Sequence, residues 1–111
     1  WAISHPAQWI AIQALQDTPW QQRNIQQLQQ HSTQLLRILE SVFPHASISA
    51  TPLFASVQQD GFSAQKWQHR LAQQGILVRC FPAANRLRFG LADAPGLQRL
   101  EAALVSAARH D

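Results

Sequence analysis

Lysine occurs once in this sequence, as Lys66, methionine not at all, and charged residues of both signs together make up only 14% of it. The arginines are scattered from Arg23 to Arg109. The formal net charge of +3 therefore reflects no basic stripe of the kind that tracks a nucleic-acid backbone, and no nucleic-acid partner is expected. A single cysteine, Cys80, excludes an internal disulfide and fits a reducing compartment, the cytoplasm. On an apolar strand it reads as a small hydrophobe rather than a nucleophile. The histidines at 5, 31, 45, 69 and 110 have neither metal-ligand spacing nor a cysteine partner, so no metal site is expected. Runs of 18 apolar residues and a leader-like segment are both missing, and no membrane partner is expected. No carboxylate pair is evident, Ser4 has no identifiable base, and no catalytic residue is assigned.

With only four glycines and 46% hydrophobic residues, the 111-residue chain reads as one folded domain with a single modest core. The absence of methionine and the start at Trp1 suggest a piece of a longer protein. The glutamines between Gln21 and Gln34 fall within a helical pattern and read as a neutral solvated face.

Helical spacing predicts a short helix over Pro6 to Gln16 and a long one from Pro19 to about Phe43, with Ile25, Leu28, Leu35, Leu39 and Val42 on its apolar stripe. Asp17 or Thr18 is placed to cap the second helix. A broken extended segment follows, Ser47 to Ala50 and Leu53 to Val57, with Pro52 at a bend or edge. Ser63 caps a helix over Ala64 to Gln73 with Trp67 and Leu71 facing the core, and Gly75 suits the left-handed position after it. Strands are expected around Ile76 to Phe81 and Arg86 to Leu91, then a last helix over Gly96 to His110 with Leu97, Leu100, Leu104 and Ala107 on one stripe. The order α-α-β-α-β-β-α points to an α+β fold, a small mainly antiparallel sheet packed against helices.

The run GILVRCFPAANRLRFGL, Gly75 to Leu91, carries the functional signal. Alternation puts Leu87, Phe89 and Leu91 on one strand face and Arg86, Arg88 and Gly90 on the other. A guanidinium is a rigid fork of donors suited to a planar carboxylate or a phosphate, and Gly90 lets a ligand come close. Alternation by itself also describes an ordinary solvated arginine on a half-exposed strand.

Four short motifs occur in order. Trp1-Ala2-Ile3-Ser4-His5-Pro6-Ala7 is like W-x-V-S-x-P-A, and Ala14-Leu15-Gln16-Asp17 with Trp20 is like A-L-x-D-x-x-W. Gly75-Ile76-Leu77-Val78-Arg79 is like G-I-x-V-R, and Leu87-Arg88-Phe89-Gly90-Leu91 is L-R-F-G-L. In these the chain resembles the C-terminal small domain of fold-type-I pyridoxal-phosphate enzymes of the class I/II aminotransferase group, closest to its threonine-phosphate decarboxylase branch in cobalamin biosynthesis. One departure is Ala92, where the family usually has proline.

The resemblance implies that residues 1–111 form one small domain of a larger, homodimeric parent, whose large domain would precede Trp1 and hold the pyridoxal phosphate. It implies a phosphorylated amino-acid substrate whose carboxylate is bound by Arg88. Arg79 is a second candidate, for the substrate's anionic end or for structural pairing. Lys66 sits in a context unlike the family's Schiff-base motif and receives no cofactor role. A decarboxylating member holds the carboxylate with its bond to Cα perpendicular to the cofactor ring; a transaminating member holds it nearer the plane. Two other readings stay open: the small domain of a related aminotransferase, such as one acting on histidinol phosphate, and a stand-alone anion-binding or interaction module.

Overall fold

The computed structural model describes residues 2–109 and has the α+β architecture expected. In chain order it comprises α1 (His5–Gln16), α2 (Thr18–Val42), β1 (Ser47–Ala50), β2 (Phe54–Gln58), α3 (Ala64–Gln73), β3 (Arg79–Phe81), a 3-10 turn (Pro82–Ala84), β4 (Arg86–Gly90) and α4 (Ala94–Ala108). Trp1, which opens the first motif, and His110, expected at the end of the last helix, lie outside the described residues.

Each α-helix begins at a short polar side chain that accepts a hydrogen bond from an otherwise unpartnered backbone N–H. Ser4 accepts from Ala7 at 3.4 Å, Asp17 from Trp20 at 3.0 Å, Ser63 from Lys66 at 3.4 Å and Asp93 from Gly96 at 2.9 Å. Helix α4 starts two residues before the expected Gly96, because Asp93 supplies the cap and Pro95 is tolerated in the first turn.

The four strands form one sheet in the order β1-β2-β4-β3, with every neighbouring pair antiparallel. The broken extended segment is thus a hairpin of two paired strands, and the element order gains a strand, α-α-β-β-α-β-β-α. The Thr51 hydroxyl, accepting from the Leu53 and Phe54 N–H groups at 3.2 Å each, makes the turn and delays β2 to Phe54. The expected strand from Ile76 shrinks to Arg79–Phe81. Its first residues are used otherwise: Ile76 N–H closes the end of α3 on the Leu71 carbonyl at 2.9 Å, and the Val78 carbonyl accepts from Gln68 Nε2 at 3.2 Å. Gly75, at φ +71°, makes that reversal.

Ala55, Val57, Leu87 and Phe89 point from the sheet into the core. They meet Leu35, Ile38 and Leu39 of α2, Trp67 and Leu71 of α3, and Leu97, Leu100, Leu104 and Ala107 of α4. The stripe expected on α4 is buried in full, whereas that on α2 holds only in its second half: Ile25 is 53% exposed. Helix α1 buries none of its residues, and Trp9, Ile10, Ile12, Leu15 and Trp20 all stand exposed. The front of the molecule projects from a core built by the remainder, giving a longest dimension of 52 Å. No described helix is long and apolar enough to cross a membrane.

Candidate functional site: an arginine face on the open sheet

Because side chains alternate, the face opposite the helices carries Phe54, Ser56 and Gln58 of β2, Arg86, Arg88 and Gly90 of β4, and Arg79 and Phe81 of β3. The helices packed on the sheet lie on its other face, so among the described residues no layer covers this one.

Register turns the alternation into a site. Ser49 pairs with Ser56, Ser56 with Arg88 and Arg88 with Arg79, so these four residues form one row across all four strands. Phe54 lies opposite Gly90 and Phe81 opposite Arg86, which sets the two rings on the diagonals either side of Arg88. The guanidinium carbon of Arg88 lies 4.9 Å from the Phe54 ring centroid and 5.6 Å from that of Phe81. Arg79 stands over the same Phe81 ring, 5.0 Å from its centroid. Arg88 is half-buried and Arg79 exposed.

Two features make this face ready for an anion. Like charges directly opposite on neighbouring strands are unfavourable, yet Arg79 and Arg88 are Cα partners. None of the four strands contains an aspartate or glutamate, and among the described residues neither guanidinium makes a hydrogen bond or ion pair. Arg86, by contrast, is engaged by Gln58 Oε1 at 2.9 Å. The ring faces attract the cations without using their N–H donors, which stay available for a carboxylate or phosphate. A Cβ built on Gly90 would meet no atom within 4 Å, so the glycine leaves a notch beside the row.

The structure thus brings Arg79 and Arg88, inferred from separate motifs, into one pair. It also adds Phe54, Phe81 and Ser56. The outward parity of Phe54 is implicit in the β2 alternation, but its place beside Arg88 depends on the β2–β4 register, which no local signal encodes. Cys80, on the opposite parity of β3, faces the core and is half-buried.

A cavity of about 200 Å³ lies between the Gly75–Val78 segment and the start of α4, reaching Gly90 at the end of β4. Its one cation, Arg99, already donates through Nη2 to the Gly75 carbonyl at 3.0 Å and the Gln74 carbonyl at 3.4 Å, tying down the end of α3. The paired guanidinium groups that make no hydrogen bond or ion pair among the described residues, Arg79 and Arg88, are on the open sheet, which makes it the stronger candidate for an anion despite its shallowness.

No protein-family model matches the chain, and no curated protein matches it. The likeness to aminotransferase small domains rests on the four motifs alone.

Proposed function

We propose that this chain is the substrate-gripping small domain of a pyridoxal-phosphate-dependent threonine-phosphate decarboxylase, in which Arg88 binds the substrate carboxylate and Arg79 assists at the anionic end. The observation that carries this reading is the pairing of Arg79 with Arg88 on an uncovered, carboxylate-free sheet face. The two residues belong to the two motifs from which the resemblance drew its substrate arginines.

The chain's own residues do not fit the cofactor. Lys66, the sole lysine, is exposed on α3, on the helical layer across the sheet from the guanidinium groups. The domain's part is to bind and orient: two guanidinium groups supply directional, charge-assisted hydrogen bonds to an anion, and half-burial of Arg88 strengthens them relative to bulk water. A shift of about 1 Å in such a grip changes a reaction rate by orders of magnitude, so its support matters as much as its presence.

The test is product analysis of the parent protein with threonine O-phosphate. Release of carbon dioxide, with turnover and affinity both reduced by Arg88→Ala, is expected. Amino transfer dependent on 2-oxoglutarate would instead favour an aminotransferase parent. A parent with neither activity, together with anion binding by the chain alone, would favour a stand-alone binding module. An Arg88→Ala parent with unchanged turnover and substrate affinity overturns the assigned role.

A further inference from the structure

We infer that Phe81 and Phe54 are positioning residues for the anion grip, Phe81 acting on both arginines and Phe54 on Arg88 alone. The inference rests on the reading of the arginine face as an anion site and goes one step further, to what holds the guanidinium groups in place.

An arginine side chain has several rotatable bonds, and an exposed one must lose that freedom on binding. Arg88 has already lost part of it. Its guanidinium lies over one ring from each flanking strand, Phe54 from β2 and Phe81 from β3, at 4.9 and 5.6 Å from the centroids. Both rings are themselves half-buried and fixed by strand pairing, opposite Gly90 and Arg86. Arg79 shares the Phe81 ring at 5.0 Å. That ring is therefore the common point through which two mutually repelling cations are held side by side.

Ring contacts suit this task better than hydrogen bonds. A carboxylate partner would neutralise the charge and occupy the donors, whereas an aromatic face restrains the cation and leaves its N–H groups directed outward. Gln58, which holds Arg86 through a hydrogen bond at 2.9 Å, shows the other arrangement on the same face. The geometry thus divides the arginines into two that are held but unsatisfied and one that is held and engaged.

The experiment uses the full 111-residue chain, labelled for observation of the arginine Nε–Hε resonances and titrated with acetate and with inorganic phosphate at chloride-matched ionic strength. In the unaltered chain, saturable shifts at Arg79 and Arg88 are expected. Phe54→Leu, which loosens Arg88 alone, should weaken the anion affinity read at both arginines about tenfold, and Phe81→Leu, which loosens both guanidinium groups, should weaken it further. Phe54→Tyr and Phe81→Tyr should restore binding, which a general loss of stability does not predict. Folded leucine variants with undiminished responses overturn the positioning role while leaving the anion reading intact. No saturable shift in the unaltered chain overturns the anion reading and this inference together. Should a leucine variant fail to fold, Nε–Hε relaxation of the unaltered chain decides: Arg88 as mobile as the exposed Arg23 on α2 overturns the inference, and Arg88 more ordered supports it.

Discussion

The Nη2 atom of Arg99 donates to the Gly75 carbonyl at 3.0 Å, and a Cβ built on Gly75 would lie 2.8 Å from that same atom. Gly75 also has φ +71°. Two separate constraints, backbone hand and side-chain space, thus meet at the joint between α3 and the strand that presents Arg79.

Gly75→Ala is expected to destabilise the fold by more than about 1 kcal/mol, because the left-handed backbone is strained for alanine and the Arg99 guanidinium must swing aside and give up its bond to the Gly75 carbonyl. Gly61 is the control: it too has positive φ, +74°, but a Cβ there meets nothing within 4 Å. Urea unfolding of both variants should show the larger loss at Gly75, and equal losses would remove Arg99 from the account.

Asn85 joins the turn before β4 to the start of α3. It is the one non-glycine residue with positive φ among those described, and its Oδ1 accepts from Ala64 N–H at 2.9 Å while its Nδ2 donates to the Phe62 carbonyl. Asn85→Ala should cost about 2–3 kcal/mol through strain and two lost hydrogen bonds. Asn85→Gly keeps the bonds lost but relieves the strain, so it should cost less. Thermal melting that ranks glycine below alanine would contradict this division.

Arg79→Glu sets stability against binding. Replacing one of two opposed cations by a carboxylate converts repulsion into attraction across β3 and β4 and should raise stability by about 0.2–1 kcal/mol. The same change fills the donors of Arg88 and should abolish its response to acetate and phosphate. Retained anion binding in a well-folded Arg79→Glu chain would show that the pair does not form one site.

Two tryptophans should behave oppositely. Trp67 is 5% exposed and lies edge-on to Phe43, with ring centroids 4.7 Å apart, and stacked on Phe62 at 6.2 Å. Trp67→Ala should cost about 3–5 kcal/mol. Trp9 is 65% exposed on α1, and Trp9→Ser should leave the unfolding free energy within about 0.5 kcal/mol. A large loss at Trp9 would mean that α1 is held by contacts the structure does not contain.

Local physics made much of this legible. Caps at Asp17 and Ser63, the left-handed Gly75, the inward parity of Leu87 and Phe89 and the α4 stripe all follow from neighbours in sequence, and all are present. Long-range pairing was not legible. Nothing near Phe54 specifies that it lies opposite Gly90, so the ring that flanks Arg88 from β2 could not be read beforehand. Nor could Asn85, whose partners are 21 and 23 residues away. The α2 stripe was overextended for a related reason: periodicity gives the apolar side of a helix but not how far along it the core reaches, and Ile25 satisfies the period without meeting the core.

An open sheet invites strand-by-strand aggregation at its two edges, where backbone groups are unpaired. Here both edges are short. The edge strand β1 has four residues and is followed by Pro52, and β3 has three and runs directly into Pro82, which has no N–H to offer. An incoming strand would find few consecutive backbone groups to pair with at either side. The sheet therefore resists growth at its edges although one of its faces is uncovered among the described residues.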